Sequence, residues 1–172
     1  VSPQVGLSTR LDGHDSEKAN ENPTCSEYSV TLTDYDIDCS FTPAEHSTIY
    51  KFAYPESDDA NLVIDMAHNI ANGDAEDIKV DISTDEQGNT IISGSGHYAG
   101  GWGPEHDLYF YAVVNKTPKV TGTYDTSGPK PGVNSMGPVD VIDRLAGMGA
   151  YLTFDTQSDE EILMKMGVSF KS

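Results

Sequence analysis

The sequence has few basic residues, with 10 Lys and Arg against 28 Asp and Glu and a formal net charge of −18 at pH 7. A surface this acidic repels phosphate backbones and anionic lipid headgroups alike. We therefore expect neither nucleic acid nor a membrane as a partner. Neutral polar ligands and cations remain compatible with this charge.

Long apolar runs are also absent, since the longest, such as residues 108–114, fall far short of the ~20 residues that span a bilayer. Hydrophobic residues still make up 37% of the 172 positions, which is too many for a disordered chain. The length favours a single domain with a substantial core. The chain opens on Val1 with no export signal, as expected of a processed or truncated product.

From Cys25 onward, apolar residues recur mostly at every second position, which is the period of a half-buried strand. About nine or ten short strands follow from this pattern, at residues 28–32, 37–41, 50–54, 61–66, 78–83, 90–95, 108–114, 119–124, 150–154 and 161–170. Short strands separated by turn signals predict an all-β fold, an antiparallel β-sandwich.

Residues 33–36 read as a four-residue turn between the first two strands. The turn sets three pairs opposite each other on one face: Leu32 with Ile37, Val30 with Cys39, and Tyr28 with Phe41. This register leaves Cys25 beyond the paired residues. It therefore favours Cys39 as a small packed residue over a disulfide between Cys25 and Cys39, the two cysteines of the chain.

Other segments lack a strand pattern. Residues 1–24 are polar and predict an N-terminal arm or loop in front of a sandwich domain at 25–172. Residues 126–138 predict a long exposed loop, and a short helix is possible near 139–146. Five glycines and a proline in residues 94–104 predict an Ω-like loop.

Catalytic signatures are missing, because the sequence has no zinc-binding His-Glu-x-x-His, no phosphate-binding Gly-Lys loop and no Gly-x-Ser-x-Gly elbow. Asp34, Asp36 and Asp38, with Glu45 further on, imitate the spacing of a calcium loop. Cys39 stands where such a loop needs glycine, so a solvated turn is favoured. We assign no catalytic residue and no metal ligand in this chain.

Trp102 is the sole tryptophan, and glycines flank it on both sides. An indole on such a segment can project and stack on the C–H face of a sugar, with its N–H free to donate. The alternative is a lid over the end of the sandwich. His68 follows a buried strand, where hydrogen bonding to backbone is favoured over ligand contact.

Several segments together resemble the N-terminal β-sandwich domain of glycoside hydrolase family 92, the calcium-dependent exo-acting α-mannosidases. The segments are EYSVTLTDYDIDCSFT at 27–42, YKFAYP at 50–55, ANLVIDMAH at 60–68, SGSGHYAGGW followed by DLYFYAVVNKTP at 93–118, and MGVSFKS at 166–172. The resemblance covers nearly all of the chain from Cys25 onward.

This resemblance implies a sandwich of the galactose-mutarotase-like type and a fragment that lacks the (α/α)-barrel catalytic domain. The family hydrolyses terminal α-linked mannose of glycans with inversion, using two carboxyl groups and a calcium ion. Those groups lie in the barrel domain, so this chain alone is expected to be inactive and to carry no cofactor. The resemblance also implies export to the periplasm or surface of a bacterium, or secretion.

The resemblance suggests four substrate-binding candidates. Trp102 and Gly101 match the family's Gly-Trp position near the sugar pocket. Lys51 falls where an arginine is usual, and lysine lacks the planar fork of a guanidinium. His68 ends the ANLVIDMAH segment. The alternative function is a stand-alone, lectin-like carbohydrate-binding module, and a third is a sandwich used for adhesion.

Overall fold

The computed structural model describes residues 1–10, 13, 15–68, 73–100, 103–141 and 147–171. Fourteen strands lie in these ranges: β1 Ser2–Val5, β2 Lys18–Pro23, β3 Tyr28–Leu32, β4 Ile37–Pro43, β5 Ser47–Tyr54, β6 Ser57–Asp65, β7 Asp74–Thr84, β8 Thr90–Ala99, β9 His106–Val114, β10 Val120–Asp125, β11 Gly128–Pro131, β12 Ser135–Val139, β13 Gly149–Thr156 and β14 Glu160–Ser169.

The strands form two antiparallel sheets. The small sheet has the order β1-β6-β13-β10-β11, and the large sheet has the order β12-β7-β8-β9-β14-β5-β4-β3-β2. Buried side chains of both sheets share one core, including Leu62 and Leu152 of the small sheet and Phe52 and Ile92 of the large one. The predicted all-β sandwich is confirmed.

All ten predicted strands are present, and the first hairpin has the predicted register. Tyr28 pairs with Phe41, Val30 with Cys39 and Leu32 with Ile37. A second hairpin joins β7 and β8, because Thr84 pairs with Thr90 around the turn at residues 85–89. Alternation with a period of two identifies these strands because one face of each meets the core and the other meets solvent.

Four further strands, β1, β2, β11 and β12, were not predicted, and each lies at an edge of its sheet. The prediction of an arm over residues 1–24 is corrected here, since β1 pairs with β6 and β2 pairs with β3. The predicted loop at 126–138 likewise contains β11 and β12. Edge strands are short and tolerate proline, so their sequences carry little alternation.

The predicted Ω-like loop at 94–104 is wrong over its first half, because β8 continues to Ala99. Residues 142–146 of the possible helix lie outside the described residues, and Val139 belongs to β12. Among the described residues, no helix has the length and apolar character needed to cross a membrane.

Both cysteines are free, as the register predicted. Cys39 is 9% exposed and belongs to the core, whereas Cys25 is exposed. Burial, with a smaller contribution from the charge of Asp38, raises the pKa of the Cys39 thiol to about 12. Cys39 therefore behaves as a small apolar residue.

Candidate functional site

One end of the sandwich brings the last residues of β6 next to the hairpin between β8 and β9. The hydroxyl of Tyr98, on β8 of the large sheet, donates a hydrogen bond to the carbonyl oxygen of Met66, just after β6 of the small sheet, at 2.8 Å. His68 lies two residues after Met66. The hydrogen bond thus joins the two sheets beside a residue that the sequence marked as a ligand candidate.

Asp65 holds the short segment that carries His68. Its Oδ1 accepts hydrogen bonds from the backbone N–H groups of Ala67, at 2.8 Å, and His68, at 2.9 Å. Its Oδ2 accepts a hydrogen bond from the hydroxyl of Tyr124 on β10, at 2.9 Å. A carboxylate that accepts backbone N–H groups two and three residues ahead fixes a tight turn at a strand end.

Three rings meet where β8 pairs with the start of β9: Tyr98 of β8, His106 of β9, and Phe170, which directly follows β14. The ring of Tyr98 stacks with that of His106, with centroids 5.9 Å apart. The ring of His106 meets Phe170 edge-on, with centroids 5.6 Å apart. Phe170 is 62% exposed, so this row of rings extends from the core to the surface.

His97 and Tyr98 occupy opposite faces of β8, as successive residues of a strand do. Burial, followed by the negative charge of Asp65, raises the pKa of Tyr98 to about 12. On the other face, Nδ1 of His97 lies 2.9 Å from Oδ1 of Asp107, and this hydrogen bond raises the pKa of His97. In a stand-alone carbohydrate-binding module, Trp102, Tyr98 and His97 would form one sugar-binding platform. His97 and Tyr98 lie on opposite faces of β8 and so cannot both contribute to it.

The four substrate-binding candidates are placed differently. The side chain of His68 is exposed at the end of the sandwich. Lys51 lies on the outer face of the large sheet, where its Nζ is 3.1 Å from Oε1 of Glu161. The described structure does not bring Lys51 and His68 together. Gly101 and Trp102 lie outside the described residues.

Lys51 borders a shallow polar groove of about 410 Å³ on that outer face. Small residues from adjacent strands, including Ser29 and Ser40, line it, and Asp38 and Glu161 flank them. Asp38 accepts a hydrogen bond from the hydroxyl of Thr31 at 2.5 Å. The groove contains no aromatic side chain on which a sugar ring could stack.

The described acidic residues do not form a calcium site. No group of three or more His, Cys, Asp or Glu side chains among them is placed to hold a metal ion. Asp34 accepts a hydrogen bond from the backbone N–H of Glu17, and Asp36 sits in the hairpin turn with a φ of 52°. Asp34 and Asp36 thus lie in the turn between β3 and β4, the solvated turn that the sequence favours.

Sequence reasoning missed Asp65 and Tyr124 and assigned Tyr98 to a loop. A carboxylate directly after a buried strand is a signal for a strand-end turn, and Asp65 has that position. No comparable signal exists for Tyr124, because its partner Asp65 lies 59 residues earlier in the chain.

The family profile of the glycosyl hydrolase family 92 N-terminal domain matches residues 3–169. The chain belongs to this family. The match confirms the resemblance inferred from the sequence segments. The family 92 N-terminal domain is therefore the unit whose sandwich and strand-end contacts are described above.

Solved structures of family 92 enzymes share this fold. The chain is 26% identical, with a TM-score of 0.78, to the α-mannosidase BT3965 of Bacteroides thetaiotaomicron in complex with mannoimidazole. The inverting mannosidase BT2199 of the same species is 21% identical, with a TM-score of 0.75. The glycosyl hydrolase ccman5 is 20% identical, with a TM-score of 0.78. At these identities, the two matches support a shared fold and nothing more. No curated protein matched the chain.

Coverage is very unequal in these comparisons. The alignment covers 99% of this chain and 23% of BT3965, and 99% of this chain and 21% of BT2199. The alignment with ccman5 covers 98% of this chain and 23% of that protein. The chain thus spans about a quarter of the length of the family 92 enzymes that it matches.

Proposed function

We propose that this chain is the N-terminal domain of an α-mannosidase that acts on terminal α-linked mannose of glycans, and that it completes the sugar pocket of a separate catalytic domain. The observation that carries the proposal is the alignment over 99% of this chain with 23% of the α-mannosidase BT3965. In this proposal the catalytic partner is the (α/α)-barrel domain expected from the resemblance.

The chemistry of the described carboxyl groups supports a partner domain as the source of catalysis. An inverting glycosidase needs a general acid with a raised pKa and a base about 6.5–9.5 Å away. Here the hydrogen bond from Lys116 lowers the pKa of Glu160. Burial acts to raise the pKa of Asp125. Hydrogen bonds from Lys130 and Ser127 outweigh burial and lower this pKa to about 2. These shifts are opposite to those of a general acid.

The contribution of this domain to the pocket is assigned to the end of the sandwich. The Tyr98–Met66 hydrogen bond joins β8 there to the segment after β6. His68 follows Met66 by two residues along the chain, and Gly101 and Trp102 follow Tyr98 by three and four. Lys51 remains a candidate from the resemblance, and its partner Glu161 would have to release it for a sugar hydroxyl. Calcium is proposed to bind outside the described residues of this chain, and export from a bacterial cell is proposed from the resemblance.

Hydrolysis of an aryl α-mannoside tests the assignment. We expect no turnover by the 172-residue chain and turnover by the complete protein that contains it. Turnover by the chain alone would refute the proposal that the catalytic groups lie in a separate domain.

Calorimetry with mannose and mannobiose distinguishes the proposal from the alternative function. A half-site should bind negligibly on its own, whereas a stand-alone carbohydrate-binding module should bind in the millimolar range or better. Measurable binding by the isolated chain would favour the module.

A further inference from the structure

The outer face of the large sheet carries exposed apolar side chains near its centre. Ile49 of β5 is 49% exposed, and Tyr111 of β9 is 54% exposed. Both side chains point away from the core, because the next residues along their strands, Tyr50 and Ala112, pack in or against it. Exposed apolar side chains that lie close together on one face are typical of an interaction site.

Strand pairing joins these side chains into one patch. Ile49 pairs with Lys165 of β14, and Lys165 pairs with Val113 of β9. Tyr111 pairs with Gly167 on the same face of β14. The outer patch consists of these residues and one partly exposed leucine of β14 on the same face: Ile49, Tyr111, Val113, Leu163, Lys165 and Gly167.

The outer patch is open at Gly167, next to Tyr111. A Cβ on Gly167 would meet only the carbonyl oxygen of His46, at 3.8 Å. The surface beside the Tyr111 ring is therefore free down to the backbone of β14. Glycines in strands often mark such places, where another molecule or segment approaches the backbone closely.

The chain itself covers the corresponding face of the small sheet. Val63, Tyr124 and Tyr151 lie on the outer side of that sheet and are buried, with Leu7 and Val120 packed against them. The outer patch has no such cover from the described residues. An apolar patch left open on one sheet, when the chain covers the apolar cluster on the other, indicates cover from outside this chain.

Charge defines the chemistry that this cover must have. The chain has a net charge of −18, yet Lys165 in the outer patch forms no ion pair within the described part of the chain. A fitting partner surface is therefore apolar, with a carboxylate opposite Lys165. A second copy of this chain fits poorly, because it would bring the same net charge and, across a two-fold axis, the same lysine.

We propose that the outer patch is the surface on which the (α/α)-barrel catalytic domain of the same protein docks, through an apolar face with an acidic side chain opposite Lys165. This inference rests on the proposed function, because the barrel domain is proposed there. The chain aligns with only 23% of BT3965, so most of that enzyme lies outside the matched part. Interfaces between domains of one chain are modest in area and mix apolar with polar groups, which matches apolar side chains around a lysine. Lys51, which pairs with Leu163, then lies at the edge of the interface.

Hydroxyl-radical footprinting tests this docking without any substitution. Tyr111 should be oxidised readily in the 172-residue chain and about tenfold more slowly in the complete protein, because the centre of an interface excludes solvent. Val133, which is 44% exposed in the turn between β11 and β12, is the matched control and should react equally in both. Equal oxidation of Tyr111 in the two proteins would overturn the proposal. Protection of Tyr111 in a dimer of the 172-residue chain, detected by sedimentation, would overturn it in favour of a second copy.

Tyr111→Glu gives a second readout, with Val133→Glu as its control. In the 172-residue chain, both variants should keep the wild-type urea midpoint, because both side chains are exposed there. In the complete protein, Tyr111→Glu alone should lower the midpoint of this domain, since docking would bury an unpaired carboxylate. Equal midpoints of the two variants in the complete protein would overturn the proposal. A Tyr111→Glu chain that fails to fold would also overturn it, because Tyr111 would then serve the sandwich itself.

Activity toward an aryl α-mannoside separates this proposal from the proposed function. If the complete protein is inactive and still protects Tyr111, the proposed function fails, and docking on the outer patch stands. If the complete protein is active and Tyr111 is oxidised as fast as in the 172-residue chain, docking on this face fails, and the proposed function stands.

Discussion

Replacing Asp65 by alanine tests the network at the end of the sandwich most directly. The change removes the acceptor of three hydrogen bonds, from the backbone of Ala67 and His68 and from the hydroxyl of Tyr124. The His68 amide is exposed and can bind water, so its loss costs little. The phenol of Tyr124 is 0% exposed and keeps a single long contact, 3.4 Å to the carbonyl of Ile64.

The expected loss of stability follows from the difference in exposure between the His68 amide and the Tyr124 phenol. A buried donor left without its acceptor costs about 1–3 kcal/mol, and a lost hydrogen bond at a partly buried charged acceptor costs about 1–2 kcal/mol. We expect Asp65→Ala to lower the free energy of unfolding by about 2–4 kcal/mol. Such a loss is a large fraction of the ~5–15 kcal/mol that stabilises a typical domain.

Urea denaturation followed by circular dichroism measures this loss, and a double-mutant cycle assigns it. Tyr124→Phe removes the phenol that Asp65→Ala leaves unpaired, so the double variant should be more stable than the sum of the single losses predicts, by about 1–2 kcal/mol. Asp58→Ala, on the same strand but with an exposed side chain, is the control and should stay within ~0.5 kcal/mol of wild type.

Two results would refute the reasoning. The first is an Asp65→Ala protein whose unfolding free energy matches that of the Asp58→Ala control, since the buried phenol would then need no acceptor. The second is strict additivity of Asp65→Ala and Tyr124→Phe, since two groups that share a hydrogen bond must show coupling.

Two further predictions concern the large sheet. Because Asp107 raises the pKa of His97 above its unfolded value, the stabilisation from this pair should be complete below the unfolded pKa and disappear as the pH rises through the folded pKa. An NMR titration of His97 should show the raised pKa in wild type and its loss in Asp107→Asn; equal values would contradict the pairing. Iodoacetamide should label Cys25 rapidly in the folded protein and Cys39 only after unfolding, since burial raises the pKa of Cys39 to about 12. Equal labelling rates would show that Cys39 is accessible.

Sequence reasoning identified the central strands because these strands carry the core. The pairs Val30 with Cys39 and Leu32 with Ile37 follow from alternation and turn length alone, and the structure has both. The four edge strands gave no such signal. Gln4 of β1 is fully buried, and β11 is the segment GPKP, so neither reads as a strand by hydropathy or propensity.

The end of the sandwich was harder to predict than the strands that lead to it. Tyr98 and Met66 lie 32 residues apart and in different sheets, and Tyr124 and Asp65 lie 59 residues apart. These contacts depend on how two sheets stack, which local sequence does not encode. The resemblance to family 92 pointed to His68 and to Gly101 and Trp102 separately, and the structure shows a hydrogen bond between Met66 and Tyr98.

The glycines of β8 explain both the wrong loop prediction and the position of Tyr98. Gly94 and Gly96 face the core, where a Cβ on Gly94 would lie 2.5 Å from the ring of Phe110. A Cβ on Gly96 would lie 2.6 Å from Cδ1 of Ile78 and 3.1 Å from the hydroxyl oxygen of Tyr98. These glycines therefore make room for neighbouring side chains within a regular strand, as glycines in strands do at close approaches. A side chain at Gly96 would displace the Tyr98 hydroxyl from the Met66 carbonyl. The frequent glycines that predicted a loop in this segment are therefore required by packing within a strand.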